Sequence, residues 1–149
     1  MWFDSHTIKK QPYNKNLLKQ IIKKKIDLID YEVLKNIKGE RVIGFGRYAG
    51  IVGAYNTFLT YGLKTKKYNL KPAYLCADKN EMEKELAKIS LKNLKIILTG
   101  NGRVSKGVEE IFKKLNIKKV TKSDFLSKHF NSAVYTCVTV VDYYETIEG

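Results

Sequence analysis

"IILTGNGRVSKGVEEIF", residues 96–112, decides how the rest of the chain is read. An apolar run enters Gly100-Asn101-Gly102, and Val108, Ile111, Phe112 and Leu115 follow at helical spacing. Strand, glycine turn and helix form the setting of a phosphate-binding turn. The first glycine permits the tight turn, the second lets a pyrophosphate approach the backbone, and the helix start offers N–H groups and partial positive charge. The alternative is a purely structural corner. The spacing G-x-G-x-x-G is incomplete, because Ser105 stands where its third glycine would fall. Gly107 follows two residues later and is expected to supply the close helix–strand contact instead. The acidic residue expected after the second strand is also displaced. Thr121 holds that place, and Asp124 lies 24 residues after Gly100.

Working outward, Lys95–Thr99 reads as a strand and Val104–Leu115 as a helix. "IKKV" reads as a second strand, "SDFLSKHF" as a short helix capped by Ser123, and "AVYTCVTVV" as a third strand. From residue 95 the order β-α-β-α-β predicts the opening of a doubly wound parallel sheet, an α/β class. About three parallel strands are expected, with an apolar edge and face left uncovered.

Toward the N-terminus, Asn14 is placed to cap a helix whose apolar stripe is Leu17, Leu18, Ile21, Ile22 and Ile26. "IDLIDYEVL" reads as a strand or extended turn, "NIKGE" as a turn, and "RVIGFG" as a short buried strand. Residues 48–63 are apolar nearly all round and predict a buried helix, with Ala49, Gly50, Gly53 and Ala54 in close contact with another element. "KTKKYNLKPAY" reads as a basic connection between domains, and "DKNEMEKELAKI" as an amphipathic helix. The expected organisation is 1–63 as a first domain with a crossing helix, 64–94 as connection and helix, and 95–149 as a truncated dinucleotide-type domain.

With 149 residues, 44% of them hydrophobic, the chain can build a packed core. No apolar run reaches a membrane span, and "MWFDSHTIKK" lacks the order of a secretory signal. The two cysteines, Cys76 and Cys137, match no CxxC spacing and are expected to be free thiols in a cytoplasmic protein. The net charge of +13 raises the alternative of a basic nucleic-acid-binding module. Against it, only Arg41, Arg47 and Arg103 are arginines; the remaining basic residues are scattered lysines, which read as a solvated surface. All three arginines fall in glycine-containing segments, which points to a site.

Three segments, "SHTIKKQPYN", "DYEVLKNIKGERVIGFGRYAGIVGAYN" and "ILTGNGRVSKG", together resemble the saccharopine dehydrogenase and alanine dehydrogenase family of NAD(P)-dependent oxidoreductases, in particular the lysine-forming saccharopine dehydrogenases. The resemblance implies two Rossmann-like domains with the active site in the cleft between them. It covers the end of the first domain, the crossing helix and the start of the cofactor domain, so an internal fragment is expected. It makes His6 the acid–base group for the substrate amine, a role suited by an ordinary pKa of ~6.5. It assigns Lys9 and Glu32 to setting protonation, and Gln11, Arg41 and Phe45 to contacting substrate. Arg103 and Val104 would contact the cofactor, joining Gly100, Gly102, Gly107 and Asp124. Without the resemblance, His6, Lys9 and Glu32 would read as surface residues. Glu40 departs from the pattern, because some members carry a basic cofactor contact there. The family's catalytic lysine lies upstream of the histidine motif and so outside this chain.

The implied activity is hydride transfer at the α-carbon of an amino acid or a saccharopine-type CH–NH substrate. NAD is the expected cofactor, with NADP left open, and no metal is expected. The expected partner is a small amino-acid substrate, and turnover by this stretch alone is expected to be negligible. A non-catalytic half-enzyme completed by a complementary polypeptide, or a homo-oligomer, is the other arrangement considered.

Overall fold

A computed structural model of the chain describes residues 2–3 and 11–144. The chain divides into two compact units, Met1–Phe45 and Gly46–Gly149.

In the first unit, strand β1 (Trp2–Phe3) pairs parallel with β2 (Ile29–Asp30). Between them lies helix α1 (Lys15–Lys23), led in by a 3-10 turn at Pro12–Asn14. Asn14 occupies the N-cap position, but its side chain makes no cap bond, since its own backbone is already helical. Ile21 is the buried residue of the α1 stripe. The "NIKGE" turn forms as expected. Asn36 Oδ1 accepts the N–H groups of Lys38 at 2.9 Å and Glu40 at 3.0 Å, and Gly39 takes a φ of 76°. The segment "RVIGFG" differs from expectation. Arg41 makes one antiparallel bridge to Lys35, and Val42 and Phe45 are exposed. The tight Asn36–Glu40 turn returns the chain after a single rung, which leaves no ladder to bury.

The second unit begins with α2 (Gly46–Thr65), followed by α3 (Lys79–Leu86), β3 (Lys95–Thr99) and α4 (Arg103–Lys114). Strand β4 (Lys118–Lys119), α5 (Lys122–Ser127) and β5 (Val134–Val138) complete it. All three strands run parallel, in the order β3-β5-β4. The strand that comes third in sequence therefore sits at the centre. Glu109 on α4 meets Tyr135 and Cys137 on one face of β5, whereas Lys95 reaches Phe125 of α5 from the other face. Helices thus cover both faces, as a doubly wound sheet requires.

Helix α2 is buried along one face only, through Gly50, Ile51, Ala54, Tyr55, Phe58 and Gly62. Tyr48, Val52 and Leu63 stay exposed, which corrects the expectation of burial all round. Its inner face packs on α4. A Cβ added at Gly50 would lie 2.0 Å from Val104 O, and one added at Gly107 would lie 2.0 Å from Arg47 O. The two glycines therefore let the helix backbones touch. Gly107 serves this helix–helix contact rather than the helix–strand contact expected of it. Gly53 meets nothing within 4 Å and has no share in it. Below the contact, Phe112 stacks edge-on against Phe58 at 6.1 Å and Tyr135 at 4.7 Å. Tyr55 is fully buried and donates its hydroxyl to Lys71 O at 2.5 Å. Segment 64–74 is thereby held on the core, where Leu70 is also buried.

Asp78 caps α3 by accepting the Glu81 N–H at 2.8 Å. Helix α5 is capped by Thr121, whose Oγ1 accepts the Asp124 N–H at 3.1 Å, and not by Ser123. Among the described residues no helix is long and apolar enough to cross a membrane, and Cys76 and Cys137 are free thiols.

Candidate functional site

The carboxyl ends of β3 and β5 lie side by side, joined where the Gly100 N–H donates to Val138 O at 2.8 Å. Gly100 has a φ of 83°, a left-handed conformation that favours glycine, and it turns the chain out of β3 toward α4. Gly102 then forms the N-cap of α4 with φ −81° and ψ −165°, extended backbone open to any residue. A Cβ on Gly102 would meet nothing within 4 Å. Among the described residues nothing crowds that position. The helix start has no side-chain cap and no acidic residue in its first turn. The uncapped start is therefore electropositive and can accept an anion.

Arg103 opens α4 and Val104 follows it, both exposed. Ser105, in the place of the third glycine, is buried and donates its hydroxyl back to Thr99 O at 3.4 Å, bracing the turn from inside. Gly107 lies a turn further on, against α2. Asp124 stands in the first turn of α5, where Lys128 holds its carboxylate at 2.8 Å and below the ordinary range.

Sequence reasoning missed a polar cluster that lies next to the glycine turn. Asp142 accepts the Thr139 N–H at 2.6 Å and its hydroxyl at 3.0 Å, and pairs with Lys122. Lys122 first, then the Thr139 N–H, hold the Asp142 carboxyl down from 3.8 to about 2. Thr139-x-x-Asp142 has capping-box spacing, the signal that could have found it. The approach of Lys122 across 20 residues left no such trace. Beside this cluster is a cavity of about 470 Å³ lined by Ile97, Thr99, Phe125, Thr136, Val138 and Tyr143.

In the first unit the structure brings together two residues expected to act in different roles. Arg41 Nη2 donates to Glu32 Oε1 at 3.2 Å, with both side chains partly exposed. Phe45 is 65% exposed and stands edge-on to Tyr31 at 6.4 Å. The Glu32 N–H donates to the buried Asp30 at 2.8 Å. Glu40 accepts from the Asn36 amide at 2.8 Å and closes its own turn. Gln11 is half-buried. His6 and Lys9 lie outside the described residues. Among the described residues no group of histidine, cysteine and carboxylate side chains could hold a metal ion.

No protein-family model matches the chain. It is 31% identical to the mitochondrial alpha-aminoadipic semialdehyde synthase of Mus musculus, over 158 aligned positions that cover 89% of the chain and 17% of that relative. The identity to the Rattus norvegicus protein of that name is the same, over the same shares. The Arabidopsis thaliana alpha-aminoadipic semialdehyde synthase is 33% identical over 131 positions, covering 76% of the chain and 12% of that relative. The chain therefore spans less than a fifth of the length of these relatives.

Proposed function

We propose that the chain, like the alpha-aminoadipic semialdehyde synthases it matches, is of the saccharopine dehydrogenase and alanine dehydrogenase family and carries part of the site of an NAD(P)-dependent oxidoreductase acting on an amino acid or saccharopine-type CH–NH substrate. The observation that carries this reading is the empty space over Gly102 at an uncapped helix start. A dinucleotide's pyrophosphate is the kind of group that needs a bare backbone at that point.

In this reading Gly100 sets the turn, Gly102 admits the pyrophosphate, and the start of α4 faces it with partial positive charge. Arg103 adds a formal charge, and Val104 packs against the cofactor. Gly107 acts indirectly, by seating α4 on α2. Asp124 would reach ribose hydroxyls only by leaving Lys128. The bound nicotinamide would supply hydride exchange with the substrate's α-carbon. The chain's own residues handle charge and protons. His6 gives and takes the proton on the substrate amine, with Lys9 and Glu32 tuning it. Arg41 exchanges its contact with Glu32 for the substrate's α-carboxylate, a better-matched bidentate partner. Gln11 and Phe45 complete the substrate contacts. Turnover also draws on segments of the longer relatives that these 149 residues do not span.

Titration of the chain with NADH and NADPH, followed by nicotinamide fluorescence, tests the reading. Gly102→Val should abolish binding while lowering the thermal melt far less, because its backbone is extended and its surroundings open. Equal binding by parent and variant would make the turn merely structural.

A further inference from the structure

Arg47, the second residue of α2, lies among the contacts that seat the start of α4. A Cβ added at Gly46 would lie 3.1 Å from Arg103 Cβ, and one at Gly50 would lie 2.0 Å from Val104 O. Arg47 itself places its carbonyl in the notch left by Gly107. Its guanidinium then forks onto Glu110, Nε donating to Oε1 at 2.5 Å and Nη2 to Oε2 at 2.8 Å. Arg103, Val104, Gly107 and Glu110 share one stripe of α4, since helical positions three and four apart stack on one face. Side chains that interdigitate fix how far one helix slides along its neighbour. Further down the contact Phe58 and Phe112 do this. Glycines have no side chain to interlock, so at the end nearer Gly102 that task falls to the fork. Lys79 of α3 also reaches Glu110 Oε2, at 3.3 Å, but an ammonium is a point charge and imposes no such direction.

On the reading that Gly102 faces a pyrophosphate, we propose that Arg47 is a positioning residue for it: by holding Glu110, Arg47 sets where Gly102, Arg103 and the first turn of α4 stand. Both side chains of the pair are partly exposed, 48% and 34%, and such pairs contribute little to stability. What two parallel bonds give is orientation. With both bonds made to Glu110, the guanidinium acts on the cofactor through α4 and not by touching it. Charge and position then have opposite consequences at Glu110. Deleting its carboxylate makes the surface more positive, which by attraction alone would tighten a phosphate ligand. The same deletion frees α4 from Arg47, which loosens the site.

NADH titrations of the full chain and its variants separate the two. Arg47→Gln and Glu110→Gln should each weaken binding, by about 2- to 30-fold, and the double variant should lose no more than the weaker single. Arg47→Lys keeps the charge without the fork and should not restore the parent affinity, a test that stands even if the glutamine variants disturb folding. Lys114→Met breaks the pair with Glu83 at the far end of α4 and should leave affinity unchanged. Without cofactor, the ¹⁵N order parameters of the Gly102 and Arg103 N–H groups should fall in Arg47→Gln while the thermal melt moves little. Tighter binding by Glu110→Gln, parent affinity in Arg47→Lys, an equal loss in Lys114→Met, or unchanged order parameters would each overturn the positioning role and leave the dinucleotide reading standing. A parent chain that binds no NADH would overturn that reading, and the role of Arg47 with it.

Discussion

Gly50, Gly53, Gly102 and Gly107 are the same residue with different reasons for being there. At Gly50 and Gly107 an added Cβ would lie 2.0 Å from a backbone oxygen of the facing helix. Alanine at either should push α2 and α4 apart and destabilise the unit by about 1–3 kcal/mol or more, the ordinary range of overpacking. At Gly53 nothing lies within 4 Å, so alanine there should stabilise α2 by about 0.5–1 kcal/mol. Urea melts of the three variants check the contrast, and equal effects would contradict the packing described. The sequence marked Gly50 and Gly53 alike as contact residues, because composition shows that a residue is small but not which face it lies on. Asp142 carries a second prediction at this scale. Its carboxyl is depressed from 3.8 to about 2, so its stabilising bonds are intact above about pH 3.8 and are lost as pH falls through about 2. The Thr139 N–H resonance should report that titration, and in Asp142→Asn it should stay still over the same range.

Elements were legible where the pattern was local. The strand, turn and helix around Gly100 appear within a residue of their expected bounds, since apolar spacing and glycine chemistry act over a few positions. Helix α2 was found but its surroundings were misjudged. Tyr48, Val52 and Leu63 are apolar yet exposed, and apolar content alone does not say what covers a face. The strand order β3-β5-β4 had no local signal, because sequence gives the succession of strands and not their neighbours. The cap of α5 shows how a one-residue shift arises: Thr121 and Ser123 are both capping types, and only the hydrogen bond to the Asp124 N–H distinguishes them. Thr121→Ala should therefore cost about 1 kcal/mol. Ser123→Ala should cost little, since Ser123 contributes only its carbonyl, to the Ser127 hydroxyl at 2.8 Å. Thermal melts of both variants would reveal a misplaced cap.

At the scale of the whole molecule, the net charge of +13 sets two readings against each other. It is the excess of 28 basic over 15 acidic residues, left after pairs such as those of Lys71, Lys79, Lys88, Lys114, Lys119, Lys122 and Lys128 with carboxylates have cancelled. Glu109 shows how such pairing acts. Burial raises its pKa, but Lys119 and the Tyr135 hydroxyl outweigh this and hold the carboxylate ionised. The positive excess is carried mostly by lysines scattered along the chain, which read as a solvated surface. A dinucleotide held at Gly102 would instead be recognised mainly by backbone dipoles and shape. The two readings therefore differ steeply in salt. Binding through many phosphates falls with a slope of about −0.9 per phosphate in log affinity against log salt, a loss of roughly 10³–10⁵ between 50 and 200 mM for six to ten contacts. NADH or NADPH binding should change by only a few-fold over that interval, and Gly102→Val should remove it at every salt concentration. Parallel titrations with the dinucleotides and with a short duplex decide the matter. A duplex bound tightly at 200 mM salt, with no dinucleotide binding at either concentration, would overturn the oxidoreductase reading and leave the basic surface as the functional one.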